Sequence, residues 1–161
     1  MIGIIADTHD NVANILKAVQ LFSERGCTLV LHLGDVVAPA TVTFFNGLNM
    51  RFIRGNCDGD IIMLRKKTGE IGGKYLGDAA ELEIEGKRFF LTHGDDGRAL
   101  EGAINSQRFD YILHGHTHVK RDEKMGKTRI INPGAHYFTT EHKTVALLDP
   151  STDRLEFMEI L

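Results

Sequence analysis

Within the 161-residue sequence, the stretch LHGHTHVKR (113–121) places His114, His116 and His118 at alternate positions. Alternate residues of an extended segment point to one side, and imidazole is a common metal ligand, so this spacing predicts a metal site. Four other apolar runs end in the same kind of side chain. Asp7 and His9 follow IGIIA, Asp35 follows LVLHLG, Asn56 follows RFIRG, and His93 follows RFFLT. Glycines beside these positions permit tight turns. Taken singly, each is an ordinary turn or capping residue. Repeated after five runs, the pattern predicts convergence on one centre.

The donor types narrow the metal. Carboxylates, imidazoles and an amide, with no thiolate among them, suit manganese first, then nickel, zinc, iron or cobalt, and disfavour calcium and iron–sulfur clusters. The candidates Asp7, His9, Asp35, Asn56, His93, His116 and His118 exceed the needs of one tetrahedral zinc. They would serve a binuclear centre with one carboxylate bridging. Two divalent ions, set against Asp7, Asp35 and a bridging hydroxide, leave one net positive charge. Such a centre attracts a phosphoryl group and supplies a nucleophile near neutral pH, so the expected chemistry is hydrolysis of a phosphate ester.

The five apolar runs, at 2–6, 29–33, 51–54, 88–92 and 111–114, read as buried strands. Val12, Ile15, Leu16, Val19 and Phe22 fall on one helical face between the first two, with Asp10 or Asn11 as the cap and Gly26 as the stop. A short helix is expected over 38–46 and another over 98–107. Ligands in open α/β sheets bind outside the carboxyl ends of parallel strands, which is where the candidate residues fall. Farther along, AAELEIEGKRFFLT reads as a hairpin about Glu85-Gly86, and KTRIIN, KTVALLD and RLEFMEIL as further strands. The reading is α/β, with a mainly parallel first half, antiparallel additions and a second sheet, all in one domain spanning 1–161.

Nineteen basic and 22 acidic residues give a formal charge of −3, which offers no strong attraction to nucleic acid or anionic lipid. No apolar run approaches the ~20 residues that span a bilayer. Two cysteines, Cys27 and Cys57, form neither a disulfide framework nor a zinc pair. A cytoplasmic protein is expected, with a small phosphate ester as its partner and self-association left open.

The ordered set DTH, GD, GNCD, THG, GHTH and NPG resembles the calcineurin-like metallophosphoesterases, in particular the small YfcE-type phosphodiesterase branch. The resemblance implies a four-layer αββα sandwich of two mixed sheets flanked by helices. It implies Asp7, His9, Asp35 and His118 on one metal and Asp35, Asn56, His93 and His116 on the other, with Asp35 bridging. His114 matches no family ligand and reads as a buried strand residue. The Asn132-Pro133-Gly134 turn is expected to support the site through its backbone.

Two departures stand out. Many members have histidine after GN, proposed to stabilise the transition state or protonate the leaving oxygen; this chain has Cys57, a weak hydrogen-bond donor. Small phosphodiesterases often have histidine after HG; this chain has Asp95. Asp58, Asp95 and Asp96 are the candidate acids, and Arg54 and Arg98 the candidate phosphate contacts. Cys57 reads as a small, partly buried residue near the metals rather than a nucleophile. The resemblance favours a phosphodiesterase. The alternatives are a phosphomonoesterase, a non-catalytic metal-binding scaffold like the retromer subunit of this fold and, last, a nuclease.

Overall fold

The computed structural model describes residues 1–160. Its first sheet contains β1 (Ile2–Ile5), β2 (Leu29–His32), β3 (Met50–Phe52), β4 (Lys74–Tyr75), β10 (Thr144–Asp149) and β11 (Arg154–Glu159), in the order β11-β10-β1-β2-β3-β4. Strands β1 to β4 are parallel, and β10 and β11 extend the sheet antiparallel. The second sheet contains β5 (Ala79–Ile84), β6 (Lys87–Thr92), β7 (Tyr111–Leu113), β8 (Arg121–Met125) and β9 (Thr128–Asn132), in the order β5-β6-β7-β9-β8. Here β6, β7 and β9 are parallel and the edge strands antiparallel. The hairpin turns at Glu85-Gly86, both with positive φ.

Alternation along the strands divides the core into layers. Ile2, Ile4, Leu31, Ala146 and Leu148 of the first sheet face Phe89, Leu91, Tyr111, Leu113 and Ile131 of the second. On the opposite face of the first sheet, Ile5, Val30, Val145 and Leu147 meet α1 (Val12–Glu24), a 3₁₀ helix (Pro39–Phe45) and α2 (Ile61–Glu70). Beyond the second sheet, Ile112 and Ile130 meet Ala103 and Ile104 of α3 (Gly97–Ser106). The result is helices, sheet, sheet, helix: the four-layer arrangement expected.

Local chemistry sets the boundaries. Asn11 caps α1 by accepting the Asn14 N–H, while Asp10 accepts from the Ala38 N–H and the Thr41 hydroxyl and so ties the 3₁₀ helix to the β1 loop. The short helix expected over 38–46 is a 3₁₀ helix, and its Val42 and Phe45, three apart, are buried in the core. Helix α2 and strands β4 and β8 are additions to the sequence reading. Only Leu64 and Thr68 of α2 are buried, while Ile62 is 84% exposed, so its apolar face is obscured. Among the described residues, no helix is long and apolar enough to cross a membrane.

Candidate metal centre

The carboxyl ends of β1, β2, β3, β6 and β7 open on one cleft and bring all seven candidate ligands together. Five of them sit in the left-handed backbone region: Asp7 (φ 52°), His9 (42°), Asp35 (60°), His116 (66°) and His118 (60°). That conformation is uncommon outside glycine and marks a loop held in shape by its surroundings. Gly55 makes the closest approach possible, since a Cβ there would overlap the Asp35 carboxylate.

Asp35 lies centrally. Its Oδ2 is 3.5 Å from Nε2 of both His9 and His93, and its Oδ1 accepts the Cys57 N–H at 2.8 Å. Asp7 Oδ1 faces Nε2 of His118 at 3.4 Å, His93 at 3.9 Å and His9 at 4.0 Å. Its other oxygen accepts the His116 N–H at 3.0 Å. Asn56 Oδ1 lies 3.0 Å from both His93 Nε2 and His116 Nδ1. His93 Nδ1–H donates to the Leu33 carbonyl at 2.7 Å, which frees Nε2 to face the cleft.

These donors suit cations. Asp7 is fully buried, and its Oδ1 has no hydrogen-bond partner; neither has His9 Nε2. A buried carboxylate oxygen left bare is costly, and a divalent ion ringed by the same nitrogens would satisfy it. The ligand atoms of Asp7, His9 and His118 lie within 4.8 Å of one another, as do those of Asp7, Asp35 and His93. Asp7 belongs to both groups, and Asp35 lies 3.5 Å from a histidine of each.

Charge coupling is strong here. Burial pushes Asp7 up to about 7, against the pull of His93. Burial also opposes the charged forms of Asp35 and His93. Their mutual hydrogen bond prevails, aided by the Cys57 amide and the Leu33 carbonyl, holding Asp35 well below the usual range and lifting His93 to about 9. Burial lowers His9 and His118, disfavouring their cationic forms, whereas His93 would have to give up the proton it shares with Asp35 to hold an ion.

A second layer of polar groups braces the loops. Asp58 is buried and accepts three backbone N–H groups, from Asp35 (3.0 Å), Val37 (2.8 Å) and Gly55 (2.7 Å). Asn132 does more than the turn role expected of it. Its side-chain amide donates to the Gly115 carbonyl (2.8 Å) and the Thr117 hydroxyl (3.1 Å), so a side chain as well as a turn supports the histidine loop. His114 is buried, with Nδ1 3.0 Å from the Gly115 carbonyl, and burial lowers it to about 4.

The remaining predicted residues spread around the rim. Cys57 is exposed rather than partly buried, since it lies in the turn after β3 and outside the packed strand layers. Partial desolvation and Asp35 push its thiol up to about 11. Arg54 pairs with Asp78 at 3.2 Å. Asp96 caps α3 through the Arg98 and Ala99 N–H groups. Arg98 and Asp95 line a groove of about 1050 Å³ between α3 and β8, and Arg54 and Asp95 a smaller one of about 270 Å³. Two groups escaped the sequence reading. Tyr137 lies with its ring centroid 4.7 Å from that of His9 and 5.5 Å from that of His118, in a loop without periodicity. His32 receives the Gly34 N–H and donates to the Thr8 hydroxyl beneath the β1 and β2 loops; its place within an apolar run hid it.

Comparison with known proteins identifies the family and the fold. The chain is 35% identical to phosphodiesterase MJ0936 of Methanocaldococcus jannaschii, over 99% of this chain and 98% of that one. It is 27% identical to phosphodiesterase YfcE of Escherichia coli K12, over 81% of this chain and 76% of that relative. A solved archaeal phosphodiesterase superposes with a TM-score of 0.93 at 32% identity, covering 98% of both chains. Vps29 of Entamoeba histolytica shares the fold, with a TM-score of 0.66 at 17% identity and 99% of both chains covered. The model of the calcineurin-like phosphoesterase superfamily domain matches residues 1–153, and the chain belongs to that superfamily.

Proposed function

We propose that the protein hydrolyses phosphodiesters with two divalent metal ions, manganese foremost. In this reading Asp7, His9, Asp35 and His118 hold one ion, and Asp35, Asn56, His93 and His116 the other. The observation that carries it is the bare, buried Asp7 Oδ1 facing three ring nitrogens beside Asp35, a donor set that a divalent ion would satisfy. The relatives' phosphodiesterase activity supports the substrate class. When bound, such ions activate water near neutral pH and stabilise charge on phosphoryl oxygens.

The chain's own part is positioning. Asp35 reaches toward both halves of the site through His9 and His93, and the Cys57 amide fixes its orientation. Asn56 spans His93 and His116. Tyr137 packs its ring against those of His9 and His118 and braces both. With no histidine at position 57 or 95, proton delivery to the leaving oxygen is weak, which favours esters whose leaving groups depart as stable anions.

The test is hydrolysis of bis-p-nitrophenyl phosphate and p-nitrophenyl phosphate by chelator-stripped protein after addition of Mn²⁺, Ni²⁺, Zn²⁺ or Mg²⁺. The expected result is metal-restored activity, greater on the diester and absent from Asp35→Asn. Greater activity on the monoester would make the protein a phosphomonoesterase. No activity above Asp35→Asn with any metal would overturn the enzymatic reading and leave a scaffold of this fold.

A further inference from the structure

The donor set read from the sequence contained no sulfur, yet the fold places one at the site. Cys57 Sγ, a ligand nitrogen of His9 and a carboxylate oxygen of Asp35 all lie within 4.8 Å of one another. The Cys57 N–H bond to Asp35 Oδ1, at 2.8 Å, fixes the turn, and Asn56 Nδ2 lies 3.4 Å from the sulfur. The same cleft holds the fully buried Asp7 Oδ1, which lacks a partner and lies 4.0 Å from His9 Nε2. His9 therefore belongs to two donor groups: one with Asp7 and His118, the other with Asp35 and Cys57.

We propose that Cys57 is a sulfur ligand of the ion held by His9 and Asp35. This rests on the metal-centre reading above and adds a donor that reading does not contain. The thiol loses its proton to solvent as the sulfur–metal bond forms, with no change of oxidation state. A thiolate is soft, so it biases this one ion toward Zn²⁺ or Co²⁺, while the ion assigned to Asp35, Asn56, His93 and His116 has no sulfur donor and keeps the manganese preference. On this view the residue replacing the family histidine does not deliver a proton; it selects the ion.

The experiment uses Co²⁺ as probe. The chelator-stripped, full-length protein is titrated with Co²⁺ under reducing conditions while its absorption spectrum is recorded. The expected result is a sulfur-to-cobalt charge-transfer band in the near ultraviolet that grows in step with the visible d–d bands. Cys57→Ser should lose the charge-transfer band and keep the d–d bands; Cys27→Ser should keep both. Visible bands without charge transfer in the unmodified protein would overturn the Cys57 assignment and leave the metal centre standing. A band abolished by Cys27→Ser instead would also overturn it. No cobalt bands at all would overturn the assignment and the metal centre together.

Discussion

Asp58 is the most exacting test of how the site is held. Its Oδ2 accepts the N–H groups of Asp35 and Gly55, and its Oδ1 that of Val37, all in a buried setting. Asp58→Ala strands three buried donors. At about 1–2 kcal/mol for each, the loss is about 3–6 kcal/mol, a large part of a domain's total stability. Asp58→Asn separates hydrogen bonding from mere volume. With its carbonyl in the place of Oδ2, the amide still accepts from Asp35 and Gly55 while its NH₂ confronts the Val37 N–H. One donor is then lost, for about 1–2 kcal/mol, and part of that is offset because burial already disfavours the charged carboxylate, pushing Asp58 up. Urea denaturation of chelator-stripped protein measures both variants without a metal contribution. The reasoning fails if Asn costs as much as Ala, or if both remain within about 1 kcal/mol of the unmodified protein.

Gly55→Ala puts a Cβ into the Asp35 carboxylate, so metal affinity measured by calorimetry should collapse; unchanged affinity in a folded variant would refute the close approach. Acid should destabilise the metal-free protein. Burial lowers His32 to about 3, and His114 and His136 to about 4, so the unfolded chain binds more protons than the folded one below about 6.5. Each such histidine contributes stability above that pH and withdraws it, by up to about 1.4 kcal/mol per pH unit, as pH falls toward its folded value. Asp7, raised to about 7, and Asp58, also raised, act oppositely, while His9 and His118, both lowered, act with the three. A free energy of unfolding that stays level from pH 6.5 to pH 4.5, followed by urea titration, would contradict this balance.

The site was legible where chemistry and strand period coincide. Asp7, Asp35, Asn56 and His93 follow buried runs, and parallel pairing aligns the ends of those runs. The layers were legible for the same reason, since Val145 and Leu147 alternate with Ala146 and Leu148 between two faces. Strand β8, RDEKM, was not, because it is a polar edge strand recognisable only from its register with β9. Tyr137 was invisible because a loop aromatic carries no period. The braces were hidden more deeply. Asp58 and Asn132 look like turn residues, and their value depends on which backbone N–H and C=O groups other loops bring within reach.

The acidic residues around the centre divide by what their oxygens already hold. Asp58 is committed to three backbone donors and Asp96 to the first turn of α3. Protonating either would surrender hydrogen bonds that hold a ligand loop or a helix start, so neither is well placed to cycle a proton. Asp95 differs: it is exposed, makes no side-chain hydrogen bond among the described residues, and borders both the Arg54 groove and the larger Arg98 groove. Each groove is lined by this carboxylate and at least one arginine, and these are what a leaving group of the proposed reaction would meet there. A histidine in that place would offer an imidazole, the side chain whose ordinary pKa lies nearest neutral pH and which both gives and takes a proton there. Losing that imidazole, like having Cys57 in place of the other histidine, points the proposed reaction toward esters whose leaving groups depart as stable anions without a proton.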